Sequence, residues 1–289
     1  MTLTIFTPTY NRGYILPELY KSLCNQTSQC FKWLIVDDGS SDNTRELVKS
    51  WITENKISIT YIYQKNQGKM QAHNTGVLSC DTDLFLCVDS DDYITSNTVN
   101  DILTAYPTLP DNIAGIISYK GKSTTKVIGT EFPDNLKIST LGHLYQLGFK
   151  GDTTLTFKTE ILKKFLFPKF PNEKFLTEAF VYNQIDIIYA YFLLRKIHIV
   201  CNYRSDGYTQ NALKLQIENP IGYLEYYKQC ASLETQLKKK IYYQVQCISF
   251  SLFDKQRIKL VDLKSVILFF PLAVALKIRR IVKFVYLNI

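Results

Sequence analysis

Short apolar runs separated by polar stretches organise the first 120 residues. Residues 3–7 (LTIFT), 31–36 (FKWLIV), 57–63 (ISITYIY), 84–88 (LFLCV) and 113–118 (IAGIIS) have the length and the β-branched or aromatic content of strands. Between them, apolar residues recur at helical spacing. This predicts helices from Pro17 through Leu23, after a cap at Ser41 or Asp42, over residues 69–79, and from Thr98 to Tyr106. The second of these carries Leu47, Val48, Trp51 and Ile52 on one side. Strand alternating with helix predicts an α/β fold, a Rossmann-like mixed and mainly parallel sheet flanked by helices, with right-handed crossovers.

Beyond residue 120 the alternation weakens. Residues 120–150 read as loops, 157–165 (FKTEILKKF) and 177–194 (TEAFVYNQIDIIYAYFLL) as helices, 196–203 as a strand, and 220–253 as helical. From Leu272 the positions Ala275, Leu276, Ile278, Ile281, Val282 and Val285 recur at helical spacing, with Pro271 kinking or starting that helix. Lys277, Arg279, Arg280 and Lys283 fill the remainder, giving a basic amphipathic helix of the kind that lies in the headgroup layer of an anionic membrane or docks on its own domain.

In open α/β sheets, ligands bind beyond the carboxyl ends of the strands. Three polar clusters fall at such ends: Thr7 to Arg12, Asp37 to Ser41, and Asp89 to Asp92. Together they predict one shared crevice. In the third, FLCVDSDDYI, a buried strand runs straight into Asp89, Asp91 and Asp92. Clustered carboxylates are costly unless something pairs with them, and Asp-x-Asp at a strand end suits a hard divalent cation, Mn²⁺ or Mg²⁺, that completes its shell with phosphate oxygens and water. An EF-hand loop is excluded because Ile94 stands where its glycine belongs. Neither a P-loop nor G-x-G-x-x-G follows the first strand. VDDGSSDNT is either ordinary turn and cap chemistry or a nucleoside site in which Asp38 meets a base or ribose and Gly39 admits the ligand.

Composition narrows the classes. At 46% hydrophobic and 21% charged residues the chain can build a sizeable core. The net charge is +8, yet the basic residues thicken toward the C-terminus while the candidate pocket is acidic, which argues against nucleic acid as a partner. Seven cysteines without C-x-x-C spacing read as reduced thiols. Met1 leads into the first strand without a secretory signal, and no apolar run reaches the roughly 18 residues of a spanning helix, so a cytoplasmic enzyme is expected.

TPTYNR, VDDGSSDNT, NQGKMQAHNTG and DSDD, in this order within residues 1–95, resemble a family 2 glycosyltransferase of the GT-A fold, and the resemblance continues more weakly through TEAFVYNQ near residue 178 and DGYT at 206. It implies an inverting, metal-dependent transfer from a nucleoside diphosphate sugar, most often UDP-linked, to a saccharide or lipid-linked saccharide in bacterial surface polysaccharide synthesis. By the same resemblance Thr7, Pro8, Tyr10 and Arg12 line the nucleotide pocket, with Tyr10 stacking on the base or packing at the strand end. Asp38 contacts uracil. Asp89, with Ser90 beside it, faces the ribose, and Asp91 holds the metal. Asn66, Gly68, Lys69 and Asn74 border nucleotide and donor sugar, although Lys69 also reads as a surface cation at a helix start. Residues 1–210 form the transferase domain (1–118 for the nucleotide, 119–210 for the acceptor), and 211–289 a helical extension, associated with the cytoplasmic face of the membrane if its last helix binds lipid.

Inverting transfer also needs a carboxylate base for the acceptor hydroxyl. The resemblance assigns Glu178, although Ala179 follows where an Asp is more usual. Glu173 and Asp186 are alternatives, and Asp152 is a weaker acceptor-side candidate. His73, His143 and His198 show no metal-ligand spacing. The rival readings are a sugar nucleotidyltransferase, which would want a Gly-rich basic loop after the first strand, and a saccharide- or nucleotide-binding protein without catalysis.

Overall fold

The structure is a computed structural model that describes residues 2–201, 211–253 and 263–287. In chain order its elements are β1 (Leu3–Thr9), α1 (Leu16–Cys24), β2 (Phe31–Asp37), α2 (Thr44–Glu54), β3 (Ile59–Tyr63), α3 (Lys69–Ser79), β4 (Leu84–Cys87), β5 (Asp92–Ile94), α4 (Thr98–Ala105), β6 (Ile113–Gly121), β7 (Ile138–Ser139), α5 (Leu141–Gln146), β8 (Thr153–Lys158), α6 (Thr159–Leu162), α7 (Ala179–Asp186), β9 (Ala190–Cys201), α8 (Ala212–Glu218), α9 (Pro220–Leu233), α10 (Leu237–Ser251) and α11 (Leu263–Leu287). They divide between two compact units, Met1–Phe167 with Val181–Asn202, and Pro168–Phe180 with Tyr203–Ile289.

The first unit is built on a nine-stranded sheet in the order β3-β2-β1-β4-β8-β6-β9-β5, with β7 paired to β9. The four strands on the β3 side are mutually parallel. β8 then runs antiparallel to both β4 and β6, and β6 and β9 are parallel again. β1 is buried along its whole length, as expected for a strand with neighbours on both edges and helices on both faces. One core cluster stacks Tyr20 on Trp51 at 4.3 Å between ring centres, with Trp33 beside them at 5.7 Å from Trp51. The Tyr20 hydroxyl leaves this apolar layer by donating to Glu54 at 2.8 Å.

His198 holds the far side of the sheet. Its Nδ1 pairs with Ser118 Oγ at 2.8 Å, its Nε2 lies 3.7 Å from Asp101, and its carbonyl accepts from the Thr98 hydroxyl. This links α4 to β9 and β6. It is also a Ser-His-Asp grouping that the sequence did not announce, but Ser118 and His198 are wholly buried, so it braces the core and is closed to a substrate.

In the second unit, Glu173 accepts from the backbone N–H groups of Ile221 and Gly222 at 2.6 and 2.7 Å. A carboxylate there satisfies orphan donors in the first turn of α9 and complements the helix dipole. Tyr223, Tyr227 and Phe250 stack where α9 meets α10. α11 packs on α10 through Phe269, Ala273 and Leu276 against Ile241, Val245 and Ile248.

Two expected helices are corrected. Residues 177–194 do not form one helix: α7 stops at Asp186 and β9 begins at Ala190, because pairing with β6 captures the β-branched and aromatic run that follows. Residues 157–165 contain the end of β8 and the short α6. The span 120–150, read as loops, contains β7 and α5. α11 begins at Leu263 and continues through Pro271, upstream of the expected start at Leu272. The DGYT segment at 206 and the boundary at 210 lie outside the described residues.

Candidate active site

Parallel pairing places the carboxyl ends of β1, β2 and β4 on one edge. Thr9 is in register with Asp37, and Phe6 with Cys87. The chain beyond each strand is therefore delivered to the same place, and the three polar clusters become one site.

The first two loops are stitched together. Asn11, held in the left-handed region at φ 52°, donates its N–H to Ser40 Oγ at 2.8 Å and accepts from the Ser41 N–H at 2.8 Å. Asp42 accepts from the Gly13 N–H at 3.0 Å and from Thr44. Asp37 accepts from the Ser40 N–H and the Tyr61 hydroxyl. Burial, then the Asp37 hydrogen bond, pushes the Tyr61 phenol well above its ordinary range.

Asp38, only 4% exposed, anchors a further loop. Its carboxylate accepts from Gln64 Nε2 at 2.7 Å and from the N–H groups of Gln67 and Gly68 at 2.9 and 2.7 Å. Gly39, at φ 88°, passes so close to Asn66 that a Cβ would lie 2.9 Å from the Asn66 nitrogen. Thus Asp38 and Gly39 fix the approach to α3, and with it Asn66, Gly68 and Lys69. Gly68 at φ 92° turns the chain into that helix, and Lys69 is its first residue.

Lys69 Nζ lies 2.7 Å from Asp89 Oδ1. Burial pushes the Asp89 carboxyl up, but the Lys69 and Lys120 ammonium groups outweigh it and hold the group at about 2. Asp92, in β5, is buried, lies 3.5 Å from Lys120 Nζ and accepts from the Cys201 thiol at 3.3 Å. Burial, with Asp89 and Asp91 nearby and Lys120 opposing, raises it to about 6. Asp91 lies between these two committed carboxylates. It is half-buried and accepts no hydrogen bond from any other described residue. Its oxygens are therefore available to a cation, and a single hard carboxylate fits Mn²⁺ or Mg²⁺ that draws the rest of its shell from diphosphate and water. Among the described residues no group of three or more His, Cys, Asp or Glu forms a fuller cage.

The raised Asp92 group has a consequence for stability. Because its folded pKa lies above the ordinary 3.8, the folded chain holds the proton more tightly than the unfolded chain does. Its stabilising contribution is complete below that value and is lost as pH rises through about 6. Asp92→Asn cannot ionise. The change in Tm between about pH 4 and about pH 7.5 should differ from that of the wild type by the equivalent of roughly 2–3 kcal/mol, with the variant favoured at the higher pH. Identical pH profiles would show that Asp92 does not titrate in this window.

The other expected residues separate by environment. Tyr10 is 50% exposed at the end of β1, and Arg12 donates to the Tyr14 hydroxyl at 2.7 Å beside it. Ser90 is buried within the acidic loop, and Pro8 is buried in β1. Thr7 is wholly buried and accepts from Trp33 Nε1 at 3.0 Å, a packing role in place of the ligand-facing one expected. Both ends of the Asn74 amide bond the Phe167 backbone, at 2.8 and 2.9 Å, so Asn74 braces that segment. Asp152 is exposed at the start of β8, and its carbonyl accepts from the Lys120 N–H. Glu178 belongs to the other unit, immediately before α7. Its two alternatives are committed: Glu173 to α9, and Asp186 to the Leu141 and Gly142 N–H groups at the start of α5.

Two further residues, Thr9 and Lys120, join the site in the structure. Thr9 is buried at the end of β1, and its hydroxyl has no hydrogen-bond partner among the described residues. Lys120 gave one signal, a lone cation at the end of the apolar run of β6.

The family model for glycosyl transferase family 2 matches residues 4–168, more than half of the chain and all of the loops just described. The chain belongs to glycosyl transferase family 2. The glycosyltransferase is 24% identical over 252 residues to a Campylobacter jejuni GalNAc(5)-diNAcBac-PP-undecaprenol beta-1,3-glucosyltransferase, covering 86% of this chain and 80% of that one. Its fold matches residues 1–349 of Staphylococcus aureus TarS in complex with UDP-GlcNAc, with a TM-score of 0.64 at 17% identity, over 97% of this chain and 81% of that fragment. It also matches a Pyrobaculum calidifontis mannosyltransferase in complex with GDP-Man and Mn²⁺, with a TM-score of 0.56 at 14% identity, over 94% of this chain and 79% of that one. The fold of the glycosyltransferase is therefore GT-A.

Proposed function

We propose that this enzyme transfers a sugar, with inversion at the anomeric carbon, from a UDP-sugar to a lipid-linked saccharide during assembly of a bacterial cell-surface polysaccharide. The observation that carries the reading is the carboxylate of Asp91, left open between two committed acids at the edge where three strands deliver their loops. The C. jejuni relative named for an undecaprenol-linked acceptor supports the acceptor class, and TarS with UDP-GlcNAc supports the donor class.

In this reading residues 1–118 hold the nucleotide, 119–210 the acceptor, and 211–289 form an extension that brings the enzyme to the cytoplasmic face of the membrane where such acceptors reside. Tyr10 and the first two loops flank the base. Asp38 acts by holding the 64–68 loop against them. Asp89, kept ionised by Lys69, faces the ribose. Asp91 would hold Mn²⁺ or Mg²⁺, which neutralises charge on the departing diphosphate. Glu178 takes the proton of the acceptor hydroxyl as its oxygen bonds the anomeric carbon and the bond from that carbon to the diphosphate oxygen breaks.

The test is to incubate the enzyme with UDP- and GDP-sugars, Mn²⁺ and a polyprenyl-diphosphate-linked saccharide. Release of UDP that depends on the acceptor, together with elongation of the saccharide, is the expected result. Tight UDP binding with no release from any donor would instead identify a binding protein on this scaffold.

A further inference from the structure

The expectation of a basic amphipathic helix treats the cations of α11 alike, but the structure sorts them. Lys277 turns inward, donates to the Leu252 carbonyl at 2.7 Å and lies over the Phe253 ring. Arg280 is likewise internal: it stacks 4.1 Å above the Phe250 ring and donates to Gln216, Gln246 and Ser249. Arg279 and Lys283 remain exposed.

The apolar side chains sort in the same way. Phe269, Ala273 and Leu276 pack against α10. Phe270, Leu272, Ile278, Ile281 and Val282 are exposed, Leu272 and Ile278 each at 55%. At about 100° per residue, Ala275, Ile278 and Val282 lie along the middle of the exposed arc, Phe270 and Ile281 on one border, and Arg279 and Lys283 with Leu272 on the other. α11 contains no acidic residue, and no helix among the described residues is long and apolar enough to cross a membrane. An exposed apolar stripe flanked on one side by cations, on a helix whose opposite face is already packed, has the form of an in-plane anchor rather than a span.

We infer that α11 docks the enzyme on an anionic bilayer through this outward face, with Ile278 and Val282 entering the acyl boundary and Arg279 and Lys283 pairing with lipid phosphates. The inference rests on the proposed lipid-linked acceptor for its purpose, but not for its test. The full chain is sedimented with vesicles of phosphatidylcholine alone, or of equal parts phosphatidylcholine and phosphatidylglycerol, with no donor or acceptor present, so the result is independent of whether transfer occurs. Binding to the anionic vesicles, weakened by salt, is expected. Arg279→Gln with Lys283→Gln should weaken it about thirty-fold, and Ile278→Gln with Val282→Gln should weaken it with both lipids. Lys277→Gln, altering an inward cation, should leave vesicle affinity unchanged even if it lowers Tm. Failure to bind anionic vesicles would overturn the inference, as would equal losses from Lys277→Gln and the outward pair. So would self-association of the wild type, abolished by Ile278→Gln with Val282→Gln, in place of vesicle binding, which would give the face to a second copy of the chain.

Discussion

Replacing Glu178 with glutamine is expected to lower turnover by about 10²- to 10⁴-fold, the range attributable to a positioned general base, while Tm and the affinity for UDP stay close to wild type. The substitution preserves shape and removes only the capacity to accept a proton. The discrimination comes from the neighbours. Glu173 neutralised would lose charge-assisted bonds to two N–H groups of α9, and Asp186 neutralised would weaken its grip on α5. Those changes act on folding and are read in the melting curve, whereas the loss of a base is read in the rate. Initial rates of UDP release with saturating acceptor, beside a melting curve for each variant, separate the two effects. Wild-type turnover from Glu178→Gln would remove it as the base.

Asp91→Asn is expected to cost roughly 10³-fold in transfer, corresponding to several kcal/mol of charge stabilisation at the leaving diphosphate, again with little change in Tm. The fold should tolerate it because the Asp91 carboxylate accepts no hydrogen bond from another described residue. Asp38 would be a poorer probe of ligand contact, since its carboxylate anchors the 64–68 loop and its loss would disturb folding and binding together. Rates measured across a Mn²⁺ series should show wild-type activity saturating with metal and the variant low throughout. A variant restored to wild-type rate by the metal concentration that saturates wild type would show that Asp91 is not its ligand.

The parallel half of the fold was legible because its strands are continuous apolar runs, as strands buried on both faces must be. β8 was missed for the complementary reason. It lies between β4 and β6, yet it reads TTLTFK, and its buried Thr154 and Thr156 break the apolar signal. β9 was half-read as helix because a short apolar run does not declare its period; its pairing with β6, distant in sequence, decides the matter. Within the site, Asp89 and Asp91 could be named because carboxylates after a buried strand demand partners, whereas Lys69 entered only through the family resemblance. Thr7 was misplaced because successive strand residues point to opposite faces, and sequence fixes a strand end only to a residue or two. Asp38 and Asn74 illustrate another limit. A polar residue near a ligand site holds either the ligand or the loop that does, and only hydrogen-bond partners far along the chain, such as Phe167 for Asn74, distinguish the two.

The central claim is that the acidic loop after β4 is completed by a divalent cation and a nucleoside diphosphate. Calorimetric titration of the wild-type chain with UDP, once with Mn²⁺ and once with the metal chelated, tests it most directly. The account predicts UDP affinity at least about tenfold tighter with the metal, with Mn²⁺ binding appreciably only when UDP is present. Equal UDP affinity in the two titrations, or no UDP binding in either, would contradict it.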